Sequence, residues 1–326
     1  MMIKLMYNEE QKQEYIEHES VNEKGVTNYF KRLYPFEEEL QKDFASMNRD
    51  EIIYTLSSLV GAEKETSRGH CLSLMKNYVR WAAQMGKIDN ADDIEDVAPE
   101  NLLSIEALKR SLFASPDYVR EILGKAFIEG YFEKHNKANR IKLVVWLLYQ
   151  GLTPIEIVNL KKKDLDLRDN TISVFGENDS HMVNVTYDEI SVLWESVAEE
   201  NTLERGGAAA HAPYQLENSD YLIRPVIKAG KSFKGKVEPY IVNGFISDLC
   251  KKYKENTEED IDITPYNIVY SGMYYHLHML ERSGVVITPL AMMDYLGIER
   301  TQKNRESSAV NGYSKDYENW KLAFGY

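Results

Sequence analysis

Between Ser67 and Ile88 the chain has no acidic residue, and Lys76, Arg80 and Lys87 recur there at a spacing that a helix gathers onto one face. Cations fixed in a row can neutralise successive phosphates, which is the chemistry of a nucleic-acid contact. Arg68, near the same helix start, would extend the row. A second basic stretch holds Arg224, Lys228, Lys231, Lys234 and Lys236 with no acid among them. Gly230 and Gly235 space it, and glycine lets a backbone approach a phosphate closely. Lys161, Lys162 and Lys163 form a third group. Each of the three has two readings by residue type, DNA contact or an ordinary solvated face. For a fourth group, Arg300, Lys303 and Arg305, the readings are DNA and a neighbouring subunit.

Other chemistries find less support. His276 and His278 are two apart, which on a helix sets them on different faces rather than around one metal ion. Cys71 and Cys250 have neither CxxC spacing nor a neighbouring histidine cluster, so they read as reduced, buried small hydrophobes. Tyr270, Tyr274 and Tyr275 read as core and surface of one helix. There is no P-loop, no GxGxxG and no Ser-His-Asp arrangement, and no cofactor is implied.

The chain has 326 residues, of which 39 are Lys or Arg and 52 are Asp or Glu, a net charge of −13. That balance argues against a protein that coats nucleic acid indiscriminately, while leaving room for a local basic face. With 43 % hydrophobic residues the length suffices for two cores. The longest apolar stretch, Leu143 to Tyr149, is far shorter than the about 20 residues of a membrane span. The first ten residues do not read as a secretory signal. A soluble cytoplasmic protein without a membrane partner is the expectation.

The elements that must position these groups read as follows. Residues 1–45 form a polar segment. Residues 46–114 read as a small helical domain, opened by an Asn48/Glu51 cap with Ile52, Ile53, Leu56 and Val60 at helical spacing. A second helix runs from Thr66 or Ser67 to about Gln84, with Leu72, Met75, Val79 and Ala82 on its apolar face and Gly86 as its stop. The stretch 115–118 reads as a linker, and 118–326 as the larger domain. There, helices are expected over 119–131, 139–150 and 188–200, and at the Thr-Pro starts Thr153-Pro154, Thr264-Pro265 and Thr288-Pro289. Ile172 and Val174 alternate against Val183 and Val185 across a polar turn, the pattern of a hairpin. Gly206 to Ala210 reads as a loop. Thr153 and Glu156 match a capping box.

The run Leu147 to Asp166, containing Gly151-Leu-Thr-Pro-Ile-Glu156 and followed by the hairpin, resembles the first catalytic motif of tyrosine recombinases, the phage integrases. The preceding helices resemble that family's core-binding domain, and Ser283-Gly284-Val285 to Leu296-Gly297 resembles its last helices. The resemblance implies a mainly α protein with a small β-sheet: an N-terminal helical core-binding domain and a C-terminal mixed α/β catalytic-type domain. In the family a tyrosine attacks a phosphate held by two arginines, with a lysine and a histidine handling protons. Here Thr153 takes the first arginine's place and Tyr270 the second's. Gly176 to Met182 contains no lysine, and Ile298 stands where the histidine belongs. Tyr313 or Tyr317 corresponds to the nucleophile, each farther past Leu296-Gly297 than the family spacing. Each missing donor costs about 2.7–4 kcal/mol of transition-state stabilisation.

A clamp without those groups should still bind DNA sequence-specifically and occupy an operator, and the resemblance to phage proteins of this fold implies a transcriptional repressor that maintains a temperate phage in lysogeny. Its partner is double-stranded DNA, with self-association through Tyr317 to Tyr326, or a regulatory protein, as further partners. Two alternatives stand beside it: a working integrase using Tyr313 or Tyr317, and an accessory protein that binds a recombinase.

Overall fold

Asn48 and Glu51 close a reciprocal capping box at the start of α3 (Arg49–Val60), after α1 (Glu9–Glu19) and α2 (Glu23–Leu40). The Asn48 side chain accepts the Glu51 N–H at 3.0 Å, and Glu51 accepts the Asn48 N–H at 2.9 Å. This geometry comes from a computed structural model that describes residues 6–19, 23–128, 136–175, 180–203, 214–227, 235–288 and 308–326. The fold is mainly helical with small sheets. The chain divides into two compact units, Met1–Leu108 with Gln302–Tyr326, and Lys109–Thr301.

In the first unit, α4 (Glu65–Gln84) buries Leu72, Met75, Val79 and Ala82, the face that its periodicity marks. The segment 1–45, polar by composition, is not merely a tail. It supplies α1 and α2, whose Tyr15, Phe30 and Leu33 are fully buried. Tyr78 of α4 meets Tyr15 and Phe30 edge-on, at centroid distances of 5.2 and 4.9 Å. Lys12 is also fully buried, bonding Glu37 Oε1 and the Tyr7 carbonyl, each at 2.6 Å. A buried lysine requires such partners. The acidic connection after Gly86 contains a short turn of helix, α5 (Asp92–Glu95), with Ile94 buried. The terminal helix Ser308–Phe324 packs on α4, burying Tyr317 and Trp320, while Lys315 Nζ reaches Glu65 and Glu100 at 2.8 Å each.

The unit boundary falls within α6 (Ile105–Ser111). The stretch 115–118 proves to be a helix start rather than a linker. Ser115 accepts the Tyr118 N–H at 3.2 Å and caps α7 (Pro116–Ala126). The second unit is built around α8 (Asn136–Tyr149), which is buried on all sides from Leu143 to Tyr149. Gly151, at φ +107°, turns the chain into α9 (Pro154–Asn159). Strands β1 (Leu165–Asp166), β2 (Thr171–Phe175) and β3 (Ser180–Asn184) form an antiparallel sheet in that order, with Ile172 opposite Val183. Three further helices close this core: α10 (Asp188–Glu199) against α8, α11 (Tyr240–Thr257) against α7, and α12 (Pro265–Arg282) against α8. A two-stranded ladder, β4 (Thr202–Leu203) with β5 (Tyr214–Gln215), lies between α10 and α11 in sequence. The expected helix after Thr288, the Gly206 to Ala210 loop and the turn at 176–179 lie outside the described residues.

The α8–α12 crossing is set by Gly272. A Cβ there would stand 1.8 Å from the Tyr149 carbonyl oxygen, so only a hydrogen fits. This approach fixes the N-terminal half of α12 against the end of α8. Gly272→Ala is expected to destabilise the chain by about 1–3 kcal/mol, read as a lower denaturation midpoint. A midpoint equal to the wild type's would refute the close approach.

Burial pushes the Asp316 carboxyl on the terminal helix up to about 6, against the pull of Lys64 and Arg68. The docked helix therefore holds a proton that the released one gives up. This contribution is complete below the ordinary value of 3.8 and is lost as pH climbs through about 6. Amide exchange across Ser308–Phe324, corrected for intrinsic rates, should be faster at pH 7.5 than at pH 5. Asp316→Asn should abolish the difference.

Candidate nucleic-acid interface

On α4, Lys76 and Arg80 lie on the solvent side, away from the buried face. Lys87 falls beyond the helix, which ends at Gln84 before the turn at Gly86 (φ +66°), so the helical phase does not extend to it. Arg80 and Lys87 are exposed and Lys76 is half-buried. All three already have partners. Arg80 grips Glu95 through two bonds, Nε at 2.5 Å and Nη2 at 2.7 Å, which lowers the Glu95 pKa and raises that of Arg80. Lys76 donates to the Glu95 carbonyl at 2.8 Å, and Lys87 lies 3.1 Å from Glu14. These are surface contacts, worth little in water and weakened by salt. A phosphate can replace such a carboxylate on the same fork.

Arg68 is a correction. It is 1 % exposed, with Nε donating to the Pro99 carbonyl at 3.2 Å and Nη1 to the Glu63 carbonyl. Burial lowers its pKa. Arg68 stands four residues before Leu72 and seven before Met75, so the helix carries it to the core face and away from the stripe. Arg224 is the second correction. It is 3 % exposed and does not stand on a surface loop. Lys236 is half-buried, whereas Lys228, Lys231 and Lys234 lie outside the described residues, as do Ile298, Arg300, Lys303 and Arg305. Lys163 is exposed and Lys161 half-buried beside a short turn in which the Lys161 N–H donates to Asp164 Oδ2 at 2.7 Å.

Two charged residues that sequence reasoning passed over sit with Arg224. Arg140 on α8 is 2 % exposed and pairs with Glu200 at 2.6 Å. Its Nη1 also donates to the Arg224 carbonyl at 3.3 Å. Burial raises the Glu200 pKa. The available signal is an arginine three and four residues before Leu143 and Val144, on the apolar face of the most hydrophobic helix.

At the positions that the sequence resemblance pairs with recombinase catalytic groups, Thr153 closes the capping box of α9. Its hydroxyl donates to Glu156 Oε2 at 2.8 Å, its N–H donates to the same oxygen at 2.7 Å, and its Oγ1 accepts the Glu156 N–H at 3.4 Å. His181, at the start of β3, places Nε2 3.7 Å from Glu156 Oε1. Tyr270 on α12 stacks on Tyr274 at 6.2 Å. Thr153 and Tyr270 thus belong to the second unit. Tyr313 and Tyr317 belong to the first. The Lys64 ammonium lies 4.6 Å from the Tyr313 ring centre, and Tyr317 stacks on Trp320 at 6.1 Å.

His276 and His278 lie on α12, His278 with Nδ1 4.0 Å from Glu281, and burial lowers the His276 pKa. Among the described residues no group of three or more metal-ligating side chains comes together, and no helix is long and apolar enough to cross a membrane.

Residues 6–84 match the family model described as "MrpR, N-terminal core-binding domain", and residues 128–305 match "MrpR, C-terminal catalytic domain". Solved structures similar in fold include XerA recombinase, 16 % identical over 94 % of this chain and 91 % of that one, with a TM-score of 0.38. An integrase from mycobacterium phage Brujita is 13 % identical over 94 % and 90 %, with a TM-score of 0.37. A lambda integrase dimer bound to a core site is 12 % identical over 96 % and 78 %, with a TM-score of 0.41. No curated protein matches the chain significantly. With both parts of the polypeptide matched, the larger match covering more than half of its length, this chain belongs to the MrpR family and carries that family's core-binding and catalytic-type domains on a tyrosine-recombinase-like fold.

Proposed function

We propose that this protein is a sequence-specific DNA-binding repressor built on a recombinase fold that no longer cuts DNA. It resembles the lysogeny repressor of SPβ-like temperate phages, and the role that fits is operator occupation that keeps a prophage silent. The observation that carries the reading is the Thr153–Glu156 capping box. Where a recombinase needs a guanidinium to hold a scissile phosphate, this chain has Thr153, whose N–H and Oγ1–H both donate to Glu156 Oε2. A hydroxyl engaged in a helix cap supplies no positive charge to a phosphate, so the replacement removes that stabilisation. Tyr317 is 2 % exposed in a packed helix, which further supports a tyrosine retained for packing. Double-stranded DNA is the partner, held in part by the α4 stripe, and a second copy of the chain or a regulatory protein completes the assembly.

DNA affinity should fall with salt at a slope of about −0.9 per phosphate contacted. Lys76→Ala with Arg80→Ala should flatten that slope by about 1 for each phosphate left unneutralised. Glu95→Gln, which releases Arg80, should tighten binding. Mobility shifts across a salt series read all three, and unchanged binding throughout would remove the stripe from the interface. On a nicked suicide substrate no covalent protein–DNA adduct should form. An adduct abolished by Tyr313→Phe or Tyr317→Phe would instead establish a working integrase, and failure to shift any phage or host fragment would favour an accessory protein that binds a recombinase.

A further inference from the structure

Within the second unit, a cleft of about 630 Å³ opens between the start of α8, the chain around Arg224 and the first half of α11. That volume suits a small organic ligand. Its wall is mixed. Ile223, Val237, Ile241 and Phe245 give an apolar side, Arg140, Arg224 and Lys236 a cationic one, and Glu238 also lines the cleft.

The cationic side is left incomplete. Arg140 and Arg224 are 2 % and 3 % exposed, yet among the described residues Arg140 Nη2 and Arg224 Nε and Nη2 are buried without a hydrogen-bond acceptor, as Glu200 Oε1 is without a donor. Glu200 answers Arg140 at 2.6 Å, and no hydrogen bond from Arg224 Nε or Nη2 to it is formed. The charges acting on Arg224 are Arg140, which is positive, and Glu200, which is negative, and Arg224 in turn bears on the positive Lys162. Burial together with Arg140 lowers the Arg224 pKa, as burial together with Arg224 lowers that of Lys162. Desolvating a guanidinium without an acceptor is costly, and native structures rarely tolerate it without a reason.

We propose that this cleft binds a small organic anion, a carboxylate or phosphate monoester carrying an apolar group. Its oxygens meet the guanidinium donors of Arg224 and Arg140, and its apolar part lies against Ile241 and Phe245. The planar fork of arginine matches such two-oxygen heads. Lys137 is held by Asp248 at 2.5 Å on the rim and leaves the head group to the arginines. The inference stands on the cleft alone and does not depend on how the chain meets DNA.

Phenyl phosphate, inorganic phosphate and neutral benzamide serve as probes for the full chain, at constant ionic strength in a phosphate-free buffer. Phenyl phosphate at millimolar concentration should raise the melting temperature by several degrees, inorganic phosphate by less, and benzamide not at all. Arg224→Met removes an unpaired buried cation. It should melt higher than the wild type without ligand, and should bind phenyl phosphate at least tenfold more weakly by titration calorimetry. Gly244→Leu is the independent variant. Gly244 lines the cleft, and a Cβ there meets nothing within 4 Å, so this variant keeps the fold and fills the apolar side. It too should lose phenyl phosphate binding. The proposal fails if phenyl phosphate gives no shift, if the shift survives in both variants, or if Arg224→Met lowers DNA affinity while the wild type ignores phenyl phosphate.

Discussion

Carboxylates outnumber cations in this chain by 52 to 39, and that excess decides which basic side chain can meet a phosphate. The cations on and just after α4 are neutralised from within, Arg80 by Glu95 and Lys87 by Glu14. Exposed pairs of this kind exchange readily, because a phosphate oxygen replaces a carboxylate oxygen on the same donors. The exchange has a consequence for selectivity. Distant attraction to any duplex is blunted, since each cation arrives already answered and each displaced carboxylate is then repelled by the DNA. In the proposed DNA contact, groups that depend on sequence would supply the remainder, and an acidic, self-neutralised surface would suit discriminating among sites more than coating DNA.

In the second unit, under the proposed function, the same residues serve folding and stand in the way of strand cleavage. The Thr153–Glu156 box satisfies the first turn of α9, and α9 leads into the hairpin whose His181 approaches Glu156. An arginine at position 153 would lose the Oγ1 bonds of that cap, while the carboxylate of Glu156 would still be there to pair with it. Stability of the turn and stabilisation of a phosphorane thus draw on one side chain. In this chain the cap holds the position.

Local signals are legible in the sequence, and distant ones are not. Asn48 with Glu51, Thr153 with Glu156 and Thr264 before Pro265 announce helix starts because a cap bonds only two or three residues ahead, and all three occur as read. The hairpin is legible because Ile172 and Val174 alternate towards the core. The helices of residues 9–40 are not, since their few apolar anchors are diluted by exposed acids and one turn is organised by the buried Lys12. Arg68 and Arg224 defeat a reading by residue type for one reason. Charge points to the surface, whereas the phase of Arg68 with Leu72 and Met75 points inward. Burial of such arginines is decided by carbonyls and carboxylates far along the chain. Pro99 is 31 residues from Arg68, and Glu200 is 60 from Arg140.

Each unit buries a charge cluster, and their signs explain why they differ. In the first, Lys12 stands between Glu37 at 2.6 Å and Asp43 at 3.3 Å, an excess of negative charge. Neutral donors share the load: the Phe44 N–H bonds Glu37 at 2.8 Å, and the Tyr78 hydroxyl and Ala45 N–H bond Asp43 at 2.9 Å each. Burial also pushes the Glu37 carboxyl up to about 7, so a proton is at hand to cancel what remains. The second cluster carries two guanidiniums against Glu200. Arginine does not give up its proton under any ordinary condition, so this excess has no internal remedy. A surplus of carboxylate can be resolved by the protein alone with a proton from water. A surplus of guanidinium beside an open cleft has no such route, and the proposed anion is what would answer it there.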